Sequence, residues 1–169
     1  TLVQNLLSFS RQSPADFEEF DLARAIEDTV SMIESQAKVQ GVAIVREMKD
    51  GLIAAGDRGQ IQQVVMNLCT NAIDAMPQGG RLVLRTGALS GGRVFFEMQD
   101  GGTGIAENIR NKIFDPFFTT KEVGKGTGLG LSLVHEIVVR HGGVIEVSFP
   151  SSGGSLFRVT LADRPSRAK

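Results

Sequence analysis

The 169 residues are 41% hydrophobic and 22% charged, with a net charge of -1, which suits one soluble domain with a real core. The near-zero charge argues against an electrostatic footprint for nucleic acid, and the lack of Trp and Tyr leaves little material for a base-stacking platform. No apolar run approaches membrane-spanning length, no signal peptide opens the chain and the single Cys69 allows no internal disulfide, so a cytoplasmic setting without membrane contact by this stretch is expected, whether or not a parent protein is anchored.

Thr1 to Gln12 puts Leu2, Leu6 and Phe9 on one helical stripe that stops at Ser13-Pro14. A polar linker follows, so this face is expected to meet another chain rather than the domain's own core. Asp21 to Gln40 reads as a helix capped by Asp21, with Ala25, Ile26, Val30, Ile33 and Ala37 buried. Val42 to Met48 and Leu52 to Ala55 read as strands of a hairpin across Lys49-Asp50-Gly51. Asp57 and Gln60 make a capping box for a helix over Ile61 to Met76, which Pro77, Gly79 and Gly80 end. Arg81 to Leu89 and Arg93 to Gln99 alternate as antiparallel strands about Ser90-Gly91-Gly92. One short helix is expected near Glu107 to Ile113, a longer one over Gly128 to Arg140 closed by His141-Gly142-Gly143, and a last hairpin from Val144 to Phe149 and Leu156 to Leu161. The pattern predicts an α+β two-layer sandwich: a mostly antiparallel sheet of about five strands under three helices. It divides into a helical fragment 1–13, a linker 14–20, the domain 21–163 and a polar tail 164–169.

Three stretches carry chemistry. On the Ile61 to Met76 helix the polar residues Gln63, Asn67, Asn71 and Asp74 line one face. Buried amides need partners, at roughly 1–3 kcal/mol each if left without one, so this row meets either backbone and solvent or a polar ligand. MQDGGTGI (98–105) ends a strand on a carboxylate, Asp100, followed by glycines that let a flat ligand approach; a solvated turn is the ordinary alternative. GKGTGLGLS (124–132) places small residues and free N–H groups at a helix start, a nest for phosphate, although it lacks P-loop spacing. Between them Ile113-Phe-Asp-Pro-Phe-Phe-Thr-Thr-Lys121 reads as an aromatic lid that could bring Lys112 or Lys121 toward phosphates, or as a satellite core.

Taken together these stretches resemble a known family. QQVVMNLCTNAIDAM (62–76) resembles the asparagine box of sensor histidine kinases, DGGTGI (100–105) the first glycine box, IFDPFFTTK (113–121) the phenylalanine box and GKGTGLGLS (124–132) the second glycine box. The likeness runs from about Phe17 to Ala162 and extends to gyrase-type, heat-shock chaperone and mismatch-repair ATPases, with their Bergerat-type ATP-binding fold. It implies ATP and Mg²⁺ as ligands, with Asn71 on the metal and Asn67 beside it. Asn67, Lys112 and Lys121 become candidate catalytic residues, and Asp100 receives the adenine amine, with Gly102, Gly104 and Ile105 shaping the base pocket. Asp74, Thr120, Lys121, Gly126, Thr127, Gly128, Leu129, Gly130 and Leu131 complete the nucleotide contacts that the resemblance implies. Gly101 stands where many relatives carry a side chain, which loosens the adenine end. Asn67 stands where hydrolysing branches carry Glu, which favours transfer over hydrolysis. The family phosphorylates a His on a dimerisation hairpin, then passes the group to a response-regulator receiver domain. Here only His135 and His141 exist, and both read as structural. The expected protein is therefore a monomeric catalytic domain of a homodimeric kinase, whose own acceptor helices lie elsewhere. The alternatives are a non-catalytic nucleotide-gated interaction module, or a serine kinase or ATPase of the same superfamily.

Overall fold

The computed structural model describes residues 17–102, 104–105, 107–115 and 130–162; the amphipathic stretch Thr1 to Gln12 and the tail from Arg164 lie outside them. In order come β1 (Glu18–Asp21), α1 (Leu22–Gln40), β2 (Val42–Glu47), β3 (Ile53–Gly56), α2 (Arg58–Asp74), β4 (Gly80–Leu89), β5 (Arg93–Asp100), a 3-10 helix (Glu107–Lys112), α3 (Gly130–Arg140), β6 (Val144–Ser148) and β7 (Ser155–Ala162). Residues 18–20, at the end of the expected linker, thus belong to a strand.

The helices stand where their stripes and caps predict. Asp21 Oδ1 accepts from Arg24 N–H (3.0 Å) to open α1, and Gly41, at φ 83°, closes it by donating to Ala37 and Lys38. On α2 the residues Ile61, Val64, Val65, Leu68, Cys69, Ala72 and Ile73 are buried, and on α3 Leu133, Val134, Ile137 and Val138. Each such Leu, Ile or Val contributes about 1.5–3 kcal/mol by leaving water. Burial among them pushes the Cys69 thiol pKa up to about 12, so this cysteine is an inert core residue.

The main sheet has the order β2-β4-β5-β7-β6, and a second sheet pairs β1 with β3. β4–β5 and β6–β7 are the expected hairpins, while β2 runs parallel to β4 (Val42↔Gly80 to Glu47↔Arg85). The expected β2–β3 hairpin does not form. Lys49 N–H is taken by Thr86 Oγ1 (2.7 Å) and the Leu52 carbonyl by Leu22 N–H (3.0 Å), so the two sides of the turn are drawn to different partners. β3 instead pairs antiparallel with β1.

Alternation sends Leu82, Leu84, Phe96, Met98, Phe157 and Val159 to the helix-covered face. The opposite face carries a row of alternating charge across all five strands, Glu47, Arg85, Glu97, Arg158 and Glu146, each opposite the next. Glu97 is buried at its centre, with Arg85 at 3.7 Å and Arg158 Nε donating at 2.7 Å. The Arg158 guanidinium also lies 4.2 Å above the Phe95 ring, which covers Gly87 of the neighbouring strand.

Candidate functional site

Two ends of a candidate site are described. The first is the polar face of α2. Its apolar residues face the sheet, so Gln63, Asn67 and Asn71 are left half-buried along the helix edge and Asp74 is exposed beyond them. The Asn67 side-chain N–H donates to the carbonyl of Gly130 (3.3 Å), the first residue of α3. Asn67 of the amide row therefore meets the amino end of α3, where the helix dipole favours an anion.

The second end is the turn after β5. Asp100 is 5% exposed, and its Oδ1 accepts from Gly102 N–H at 2.9 Å. Burial raises its pKa, against hydrogen bonds from the Gly102 and Ser155 backbone that lower it. A Cβ on Gly102 would collide with the Ala75 carbonyl at the C-terminal end of α2. Ala75 N–H in turn donates to the Asn71 carbonyl (3.0 Å), so the glycine turn abuts the last turn of the amide-bearing helix. Gly104, at φ 73°, passes close to the Gly154 carbonyl, whereas a side chain at Gly101 would meet open space.

Residues that the sequence reading did not single out complete this end. Gly154, at φ 79°, packs so tightly that any Cβ would run into the Asp100 carbonyl, and Ser155 is paired with Asp100 in the sheet. The one available signal was Gly153-Gly154 directly before a strand. Arg110 Nε donates to the Ile105 carbonyl (3.0 Å) while its guanidinium lies 3.6 Å over Phe149, joining the 3-10 helix to the β6–β7 turn. Ile113 is buried, Ile105 and Leu131 are partly buried against the core, and Lys112 is exposed. Thr120, Lys121, Gly126, Thr127, Gly128 and Leu129 lie outside the described residues, as do the phenylalanines at 117 and 118.

The histidines differ from each other. His135 is exposed, its ring tilted against Phe114 at 5.5 Å. His141 is buried, and its Nε2 accepts from Asp57 N–H (3.0 Å). A nitrogen that accepts from a backbone amide carries no proton, so the neutral ring is protonated at Nδ1, which donates to the Ile137 carbonyl (2.7 Å). The helix dipole alone favours a cation here, but burial lowers the pKa and Arg140 pushes the same way, outweighing the Ile137 carbonyl and Asp57. This contact also takes half of the expected capping box. Asp57 Oδ1 does accept from Gln60 N–H (3.1 Å), while the buried Gln60 Oε1 has no hydrogen-bond partner among the described residues.

Among the described residues there is no cluster of His, Cys, Asp and Glu able to hold a metal by itself, and no helix is long and apolar enough to cross a membrane.

Residues 56–165 match the family described as histidine kinase-, DNA gyrase B- and HSP90-like ATPase. The sensor kinase CckA of Brucella abortus (strain 2308) is 39% identical over 95% of the chain, which spans only 18% of that relative. The catalytic domain of histidine kinase ThkA superposes with a TM-score of 0.81 at 32% identity, covering 89% of this chain and 97% of that one. ThkA in complex with the response regulator TrrA gives 0.82 at 28% identity over 99% of this chain and 48% of that one. The asparagine and glycine stretches described above fall within the matched span, and the chain belongs to the histidine kinase-, gyrase- and HSP90-like ATPase family, in the form that makes up the ATP-binding catalytic domain of sensor histidine kinases.

Proposed function

We propose that this domain binds Mg·ATP between Asp100 and the amino end of α3, and serves phosphoryl transfer to a histidine on a dimerisation hairpin of the same or a partner chain. The observation that carries the reading is the pairing of a buried carboxylate at a glycine turn with a half-buried amide row that abuts it through Ala75. Asp100 accepts the exocyclic amine of adenine, and Gly102 and Gly104 leave room for the base. Asn71, with Asn67 beside it, meets the magnesium and the phosphates. A neutral amide is a weak ligand for Mg²⁺, so phosphate oxygens and water hold most of the ion. The metal supplies charge neutralisation at the transferring phosphoryl group. The phosphate contacts of Gly126, Thr127, Gly128, Leu129 and Gly130, and the cations Lys112 and Lys121, belong to this proposal as well.

Asn67 cannot act as a base toward water, which supports transfer over hydrolysis. His141 is excluded as acceptor because both ring nitrogens are engaged inside the core. In this reading the acceptor is supplied from elsewhere in a homodimeric parent, and a receiver domain is the onward partner. Since the reaction consumes ATP, the domain sits on the cytoplasmic side of any membrane that the parent crosses.

Titration calorimetry with Mg·AMPPNP tests the binding step. The wild-type chain binds in the micromolar to millimolar range, and Asp100→Asn weakens this at least about tenfold, the loss of roughly one charge-assisted hydrogen bond. Absence of binding by the wild type sinks the proposal. With radiolabelled ATP the chain alone takes up no label, whereas joined to a dimerisation hairpin it forms acid-labile phosphohistidine. Phosphoserine, or steady phosphate release, points to the sibling activities instead.

A further inference from the structure

Helices α2 and α3 run antiparallel and are fastened to each other at both ends of their contact. At one end Asn67 donates to the Gly130 carbonyl (3.3 Å), and at the other Asp57 N–H donates to His141 Nε2 (3.0 Å). The spans match: from 57 to 67 on one helix and from 130 to 141 on the other the chain rises about 15–17 Å.

The His141 ring has little freedom. Ile137 holds Nδ1, Phe17 stacks on the ring (4.6 Å between centroids, 24° between planes), and a Cβ on Gly56 would strike its edge. Among the described residues the ring is hydrogen-bonded only to backbone, at Asp57 and Ile137, and is stacked by the Phe17 ring, so its position is fixed by two main-chain segments and one aromatic side chain. A hydrogen bond from the backbone N–H of an N-cap residue to a fixed imidazole sets where α2 begins relative to where α3 ends.

We propose that His141 is a positioning residue for the nucleotide site, setting the register of α3 against α2 so that the amino end of α3 stands opposite the Asn67–Asn71 face. This rests on the nucleotide reading above. A slip of one residue along either axis moves the phosphate-binding amides about 1.5 Å, while Asp100, carried by β5, stays where it is. The triphosphate end of the site should therefore respond to His141, and the adenine end should not.

Two variants read the register. His141→Phe keeps a ring to stack on Phe17 but removes both hydrogen bonds. Gly56→Ala leaves His141 unchanged and pushes its ring aside, so it gives the same reading if His141→Phe does not fold. The 169-residue chain is titrated with Mg·AMPPNP and, by amide chemical shifts, with AMP, which keeps the adenine end and lacks the β- and γ-phosphates. Each variant is expected to bind Mg·AMPPNP about three- to tenfold more weakly, with AMP affinity kept within about twofold. An unchanged Mg·AMPPNP affinity in a folded variant overturns the proposal. So does an equal fall for both compounds, which is what general loosening of the fold produces. Wild-type binding of neither compound overturns the nucleotide reading and this inference with it.

Discussion

Gly154 lies in such close contact with the Asp100 main chain that it tolerates no ordinary exchange. At φ 79° an L side chain is strained, and here its first carbon would also meet the Asp100 carbonyl. Gly154→Ala is expected to cost about 2–4 kcal/mol in urea unfolding, more than Gly101→Ala, whose side chain meets open space. Asp100 itself adds a pH dependence. Burial raises its pKa above the ordinary 3.8, so on acidification the carboxylate is neutralised earlier than an exposed one, and nucleotide affinity falls with it. The fold responds in the opposite direction. The unfolded chain binds that proton less readily, so this one group favours the folded state as pH drops through the raised pKa. Calorimetric titrations down the pH scale, compared with Asp100→Asn, separate the two. The carboxylate and the glycines after it were legible in the sequence because a strand end followed by alternate glycines has few purposes. Gly154 was not, since a Gly-Gly pair before a strand looks like any hairpin turn until its partner is known.

At the scale of the helices, caps and stripes predicted the three α-helices among the described residues, because both signals are local. What local signals missed is the joint between them. Asp57 and His141 are 84 residues apart, and nothing near either one announces that a ring nitrogen would take the amide expected for Gln60. The joint has a measurable signature. His141 is neutral when folded, with a pKa lowered from 6.5 chiefly by burial, whereas the unfolded ring gains its proton near 6.5. Its contribution is whole above that value and is lost as pH falls from 6.5 through the lower folded pKa, because the unfolded state then binds more protons. Thermal unfolding should show Tm declining across this window in the wild type, and a flatter profile in His141→Phe. An identical slope in both proteins contradicts the assignment of the neutral ring.

At the scale of the molecule, a sheet with helices on one face must keep the other face wet, and the charged row does so without leaving Glu97 unpaired. Removing the buried centre should matter far more than removing an edge. Glu97→Gln leaves Arg85 and Arg158 facing each other and is expected to cost about 1–3 kcal/mol, whereas Glu146→Gln at the exposed end leaves the urea midpoint unchanged. The two-layer class was legible from alternation and hairpin turns. The pairing of β2 was not, because a strand's neighbour is chosen by the helices that cover it rather than by the nearest turn.

That parallel pairing also bears on the order of assembly. β4–β5 and β6–β7 close through short turns, but β2 reaches β4 only after β3 and the whole of α2 have been threaded between them. Closing so long a loop yields nothing until the later strands exist to receive it, so the leading α1–β2 unit should dock after the rate-limiting step. Val42→Ala, at the start of that edge, should then accelerate unfolding in stopped-flow measurements while leaving the refolding limb where it was.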